Sequence, residues 1–263
     1  MIDNTRGERN NHLSYLINAL SSSQSSIIVN NNAAAVLLVL NTLSENKEVI
    51  ISRGELVEIG GSFRIPDVIK KAHCKMIEIG TTNKTHLKDF KNAINENTGL
   101  IMIAHTSNYK VVGFTKSVEL NALALLAKSK RIPLFVDVGS GAVINYDKFD
   151  LPKEKMISEY IKMGVDVVSF SGDKLIGGPQ TGILCGKKNK INKIHSNSMY
   201  RALRCDKITI SIMESILRTY LSKKQVHKNN LTFRLLTRDQ SKLGQIGKDI
   251  LKKISKENIL KYN

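Results

Sequence analysis

At 263 residues the chain can bury a full core, and its 41% hydrophobic content is ordinary for a globular protein. Its longest apolar run, Ala33–Leu40, is too short to span a bilayer, and the first residues show no basic-then-apolar leader, so the cytoplasm is the expected compartment. The formal charge of +17 is uneven, with 19 Lys and Arg against 5 Asp and Glu from Gly186 onward, and 21 against 18 before it. A basic final third suits contact with phosphates or nucleic acid, and equally a solvated helix face.

Short apolar runs alternate with helical stretches along the chain. The predicted strands are Ser26–Val29, Val49–Ser52, Lys75–Ile79, Leu100–His105, Pro133–Asp137, Asp166–Phe170 and Thr181–Gly186. Helices are predicted over Ala33–Leu43, Pro66–Ala72, His86–Asn95, Ser117–Ser129, Pro152–Met163, Asp206–Leu221 and, as one long Lys-rich element, Phe233–Ser255. This alternation predicts an α/β three-layer sandwich built on a mostly parallel, mixed sheet. The short link before Thr181–Gly186 predicts that this strand pairs antiparallel. Val226–Asn230 is the expected hinge, separating a large domain (1–225) from a small basic remnant (226–263). Cys74, Cys185 and Cys205 lack metal-binding spacing and read as reduced thiols, and no metal site is expected.

Ligands of such sheets gather at the carboxyl ends of the strands, and the polar motifs fall there. Lys174, in Ser171-Gly-Asp-Lys, follows the apolar run Val165–Phe170 and precedes a Gly-Gly-Pro turn. That context places it at the mouth of a buried strand, where partial desolvation would free its amine to form an imine with pyridoxal phosphate. A surface lysine in a loop is the plainer alternative, and Ser-x-x-Lys alone is a weak signal.

Asn30-Asn-Asn-Ala opens a helix, so Asn31, Asn32 and Ala33 are candidates to bind the cofactor phosphate, or else the asparagines merely cap. Asp137 ends a strand before Val-Gly-Ser-Gly. A carboxylate there suits the pyridinium nitrogen of pyridoxal phosphate, or simply caps a tight turn. Asn108 is placed to donate to the ring's phenolic oxygen and Ser171 to the phosphate. His105 either packs near the ring or is a satisfied buried histidine.

The order of phosphate helix, Asn108, Asp137, Ser171 and Lys174 at successive strand ends resembles the fold-type I pyridoxal phosphate enzymes, with the large domain of the aspartate aminotransferase superfamily. Longer runs narrow the likeness. Asn30–Leu43, Ser52–Asp67, Gly80–Asn83, Phe170–Lys174 and Gly177–Gln180 are similar to the bacterial selenocysteine synthases, the L-seryl-tRNA(Sec) selenium transferases, over nearly all of Arg6–Leu236. The resemblance implies that Lys174 carries pyridoxal phosphate and removes a proton from the serine of seryl-tRNA(Sec). Asp137 sustains the ring, the hydroxyl leaves to give an aminoacrylate, and selenophosphate supplies selenium. It also implies that Arg201 and Arg204, in Arg-Ala-Leu-Arg, hold the selenophosphate anion, although contact with a phosphate backbone or solvent suits them too. They share one face if that segment is helical. Arg53 and Arg64 are further anion candidates, or partners of Glu55 and Glu58 in a buried ion-pair network at a subunit contact. The family forms homo-oligomers. Its N-terminal tRNA-gripping domain and most of its C-terminal domain are not expected in this chain, which leaves a small-substrate lyase or transferase, or a non-catalytic subunit, as the other readings.

Overall fold

The computed structural model describes residues 11–56, 58–59, 63–105 and 111–254. In chain order the elements are α1 (Asn11–Ser21), β1 (Ser25–Val29), α2 (Asn32–Ser44), β2 (Glu48–Ser52), the two-residue strands β3 (Glu58–Ile59) and β4 (Phe63–Arg64), α3 (Ile65–Lys71), β5 (Lys75–Ile79), α4 (Leu87–Ala93) and β6 (Thr98–Ala104). They continue with α5 (Leu120–Ser129), β7 (Leu134–Gly139), α6 (Ile157–Lys162), β8 (Val167–Ser171), β9 (Gly182–Gly186), α7 (Lys188–His195), α8 (Met199–Leu203), α9 (Lys207–Thr219), α10 (Lys223–Asn229), α11 (Leu231–Leu236) and α12 (Gln240–Lys253).

Seven strands form one sheet in the order β1-β9-β8-β7-β6-β2-β5. The pairs between β8, β7, β6, β2 and β5 are parallel, whereas β9 runs antiparallel to both neighbours, as its short connection requires. Strands buried on both faces sort their side chains by parity. Val49, Ile51, Leu100, Met102, Phe135, Val167 and Leu184 point to the face covered by α2, α3 and α7. Ile50, Ile101, Leu134, Val136, Val168 and Ile183 point to the other face, covered by α1, α4, α5, α6 and α9. The result is the expected three-layer sandwich.

Element edges differ from the sequence expectation where caps intervene. The sixth helix starts at Ile157 because the Glu159 carboxylate accepts from the Met156 N–H, 2.7 Å away, outside the Pro152 turn. The long terminal helix is broken in two, since Asp239 accepts from Ser241 N at 2.7 Å and caps a fresh start for α12. The α1 helix was not anticipated, although Leu13, Leu16 and Ile17 are buried at helical spacing. The expected hinge is instead the firmly packed junction of α10 and α11. Val226 and Asn230 are both buried, and Asn230 caps α11 through Phe233 N at 2.9 Å. His227, Lys228 and Asn229 face solvent as a linker's residues would, whereas the Asn230 amide is satisfied inside.

Close approach of backbones sets the start of α2. A Cβ on Gly182 of β9 would collide with the carbonyl of Asn31, so only glycine lets this strand pass beneath the helix entry. Gly182→Ala is therefore expected to cost about 2 kcal/mol of stability through overpacking, read as a lower urea midpoint.

Candidate cofactor site at the strand ends

The three asparagines after β1 divide the work. Asn30 donates its N–H to Leu203 O at 2.8 Å, tying the entry of α2 to the end of α8. Asn31 is the N-cap, its Oδ1 accepting from Ala34 N at 2.8 Å. Asn32 turns inward and donates its Nδ2 to Asp137 Oδ1 at 2.7 Å. The cap engages the Ala34 N–H, which leaves the first helical N–H groups, those of Asn32 and Ala33, directed at an anion. Any anion held at this terminus would be met by the backbone, since the Asn31 and Asn32 side chains are engaged with Ala34 and Asp137.

Asp137 is buried and shares its face with Phe135. On the adjoining strand Ser169, in register with it, donates Oγ to Asp137 Oδ1 at 3.0 Å. Burial raises the carboxyl of Asp137 above its ordinary range. The hydrogen bonds from Asn32, Ser169 and the Gly139 backbone, and the charge of Lys174, pull the other way. A buried carboxylate left in deficit by its surroundings is suited to a cationic N–H. Two buried polar atoms at this edge, Asn32 Oδ1 and Ser140 Oγ, have no hydrogen-bond partner among the described residues. The donor set, the orphaned atoms and the open helix terminus together fit pyridoxal phosphate.

Ser171 ends β8 two residues beyond Ser169, on the same face as Asp137 and the entry of α2. Lys174 stands in the connection between β8 and β9, whose backbone is held by Gly172 N to Thr181 O and Gly178 N to Gly172 O, both 2.9 Å, and by Gly177 N to Lys174 O at 3.0 Å. It is close enough to Asp137 for its charge to act on that carboxyl. Contrary to expectation Lys174 is exposed and not desolvated in this chain, because the loop carries it past the apolar layers into the open crevice.

Other candidates fare differently. His105 donates its backbone N–H to Asp137 O at 2.8 Å, but its side chain is exposed, so it is not the satisfied buried histidine that was one expectation. Asn108 lies outside the described residues. Helix α8 stops at Leu203, and Arg204 is its extended C-cap, so Arg201 and Arg204 do not share a helical face. The Asn30–Leu203 bond nonetheless sets this turn beside the entry of α2, and neither arginine has an ion-pair partner among the described residues. Arg53 pairs with Glu78 at 3.0 Å and Arg64 with Glu58 at 2.6 Å. Both pairs are exposed on the single chain, where such pairs contribute little to stability, and Glu55 joins neither.

Sequence reasoning missed Ser169 and Glu55. The signal for Ser169 was its period-two spacing from Ser171 in an otherwise apolar strand. Glu55 sat among other charges and gave none. Its carboxylate accepts from Ala104 N at 3.1 Å and lines a cavity of about 470 Å³ with His105, Lys116 and Lys155. Burial of the carboxyl pushes Glu55 up to about 8, against the lowering effect of the Ala104 N–H.

The sheet order and layers are those of the fold-type I pyridoxal phosphate enzymes, and the donors at the strand ends fit that cofactor. Among solved structures, the chain superposes on D-glucosaminate-6-phosphate ammonia-lyase with a TM-score of 0.68 at 17% identity, covering 86% of this chain and 63% of that one. It superposes on cystathionine gamma-lyase from Lactobacillus plantarum with a TM-score of 0.64 at 18% identity, covering 84% of this chain and 55% of that one. At such identities the likeness is one of fold. Residues 1–263 match the family model of L-seryl-tRNA selenium transferase, and the chain belongs to that family. Its relatives named L-seryl-tRNA(Sec) selenium transferase include those of Mannheimia succiniciproducens, 49% identical over 97% of this chain and 55% of the relative, and Proteus mirabilis, 50% identical over 94% and 53%. That of Clostridium perfringens is 47% identical over 96% and 55%. The chain thus spans about half the length of the curated relatives it matches.

A carboxyl whose folded pKa is raised stabilises the fold below its unfolded value near 4.5 and loses that contribution as pH climbs through about 8. Glu55→Gln keeps the acceptor for Ala104 N without the ionisation. Its urea midpoint is expected to change less between pH 5 and 8 than that of the wild type, a difference of about 2 kcal/mol.

Proposed function

We propose that this chain is the cofactor-binding catalytic core of an L-seryl-tRNA(Sec) selenium transferase, converting L-seryl-tRNA(Sec) to L-selenocysteinyl-tRNA(Sec) with selenophosphate. The observation that carries the reading is the buried Asp137 carboxylate, held by Asn32 and Ser169 within the field of Lys174, in a chain of this family. Pyridoxal phosphate bound there would supply an electron sink for the charge left when the serine Cα loses its proton.

The chain's own residues divide the remaining tasks. Lys174 anchors the cofactor, and its released amine takes the Cα proton and returns one to the departing hydroxyl. Asp137 holds the proton on the ring nitrogen, and its bonds from Asn32 and Ser169 fix the carboxylate's direction. The N–H groups at the start of α2 and the Ser171 hydroxyl receive the phosphate. Asn108 would serve the cofactor's phenolic oxygen, and His105 would pack against its ring. Arg201 and Arg204 grip the selenophosphate oxygens, for which their planar forks are suited, while Arg53, paired to Glu78, is a secondary contact.

The basic final third supports the RNA partner. Helix α12 has no buried residue and carries Lys242, Lys248, Lys252 and Lys253 to solvent, where phosphodiesters can displace counterions. Val112 and Phe114, 91% and 88% exposed, support a homo-oligomer in which another copy covers them. No helix among the described residues is long and apolar enough to cross a membrane, which agrees with action in the cytoplasm.

Purified protein incubated with pyridoxal phosphate and borohydride is expected to retain one cofactor on Lys174, identified by peptide mass, and Lys174→Ala to retain none. Absence of an adduct in the wild type would refute the reading. Arg201→Ala and Arg204→Ala should keep the adduct yet require about tenfold to hundredfold more selenophosphate for transfer, as loss of a charge-assisted hydrogen bond implies.

A further inference from the structure

The connection bearing Lys174 is gripped from outside the sheet. The carbonyl of Leu175, the residue after the lysine, accepts from Tyr146 Oη at 2.8 Å and from Tyr220 Oη at 3.0 Å. The next carbonyl, of Ile176, accepts from Tyr220 Oη at 2.9 Å and from Asn230 Nδ2 at 2.8 Å. Asn230 also donates to Tyr220 Oη at 3.2 Å, so the two residues brace each other. Three side-chain donors therefore converge on two successive carbonyls, the single Tyr220 O–H being shared between them.

The grip is buried and built from elements distant in sequence. Tyr146, Tyr220 and Asn230 are at most 7% exposed. Burial pushes the Tyr146 hydroxyl up to about 12 and that of Tyr220 higher still, so both remain protonated donors at any pH the fold tolerates. The ring of Phe233 locks the assembly, lying 4.8 Å from Phe149, 4.7 Å from His227 and 6.1 Å from Tyr146 between centroids. Gly177 has φ of +73°, and a Cβ there would meet Thr232 Oγ1 at 2.5 Å, so α11 lies directly on the loop. Neither the parallel sheet nor the cofactor-binding set needs these bonds. What they restrain is the two residues that follow the lysine.

We propose that Tyr146, Tyr220 and Asn230 are positioning residues that clamp the Lys174 loop through the carbonyls of Leu175 and Ile176, so that the segment after Asp206 governs how the lysine meets its cofactor. The clamp acts on the backbone, without touching the cofactor, and rests on the reading of Lys174 as the anchoring amine.

Tyr220→Phe removes the donor shared by both carbonyls and keeps the ring, Tyr146→Phe is the milder variant, and Tyr160→Phe, a buried tyrosine elsewhere, is the control. In apo protein, amide exchange at Leu175, Gly177 and Gly178 is expected to rise about tenfold in Tyr220→Phe and less in Tyr146→Phe, with β7 unchanged. Added pyridoxal phosphate should be trapped by borohydride on Lys174 about tenfold more slowly in Tyr220→Phe. The pH midpoint of the bound cofactor's visible absorbance should fall by about half a unit, as the lysine nitrogen drifts from the field of Asp137. Loop exchange, trapping rate and midpoint all equal to wild type in Tyr220→Phe, or the same changes in Tyr160→Phe, would overturn the clamp. A wild type that captures no cofactor would defeat the assignment of Lys174, while loop exchange would still decide whether the clamp exists.

Discussion

A carboxylate at the centre of the sheet has to be kept ready for charge without water, and much of the architecture follows from that requirement. Asp137 is buried at the end of β7, where desolvation alone would favour its neutral form. Asn32 reaches it from the start of α2 and Ser169 from the neighbouring strand, each hydrogen bond offsetting part of the cost. These contacts require α2 to begin directly above the strand end, which in turn requires Gly182 beneath it. The open terminus of α2 and the buried carboxylate are thus consequences of one electrostatic problem solved at a strand end.

Lys174 obeys a different logic. It is exposed, so its position comes from the backbone that carries it and not from a snug side-chain pocket. Glycines give the loop its turn, and the buried tyrosines and Asn230 take up the carbonyls that the turn leaves over. An exposed side chain on a firmly bonded backbone suits the anchoring, base and acid roles proposed for Lys174.

The sheet was legible because strands buried on both faces are continuous apolar runs, and the residues proposed to hold the cofactor lie at or just past their ends. Asp137, Ser171 and Lys174 are recognisable on that ground. Side-chain direction was not. Three asparagines in a row read alike, yet Asn31 caps while Asn32 turns in to Asp137, a choice made by a contact 105 residues away. Arg204 leaves α8 because the helix ends one residue earlier, a boundary that spacing alone does not fix. The segment Val226–Asn230 read as a hinge from its polar centre, yet its two ends are buried, and the loop carbonyl that Asn230 satisfies explains why that residue turns in. Helix α12 shows the reverse, a periodic apolar pattern with Leu243 and Ile250 about half exposed.

The reach of the Asn230 side chain has a consequence for synthesis. Its amide closes onto Ile176 across 54 residues, and Asn32 closes onto Asp137 across 105. A ribosome extending this chain will have released every strand before Asn230 emerges, so the sheet can assemble while the lysine loop still lacks its last restraint. In that interval the Asp137 carboxylate can already be in place while the carbonyl of Ile176 still awaits the amide that closes on it, so the loop bearing Lys174 is the last part of this cluster to be restrained.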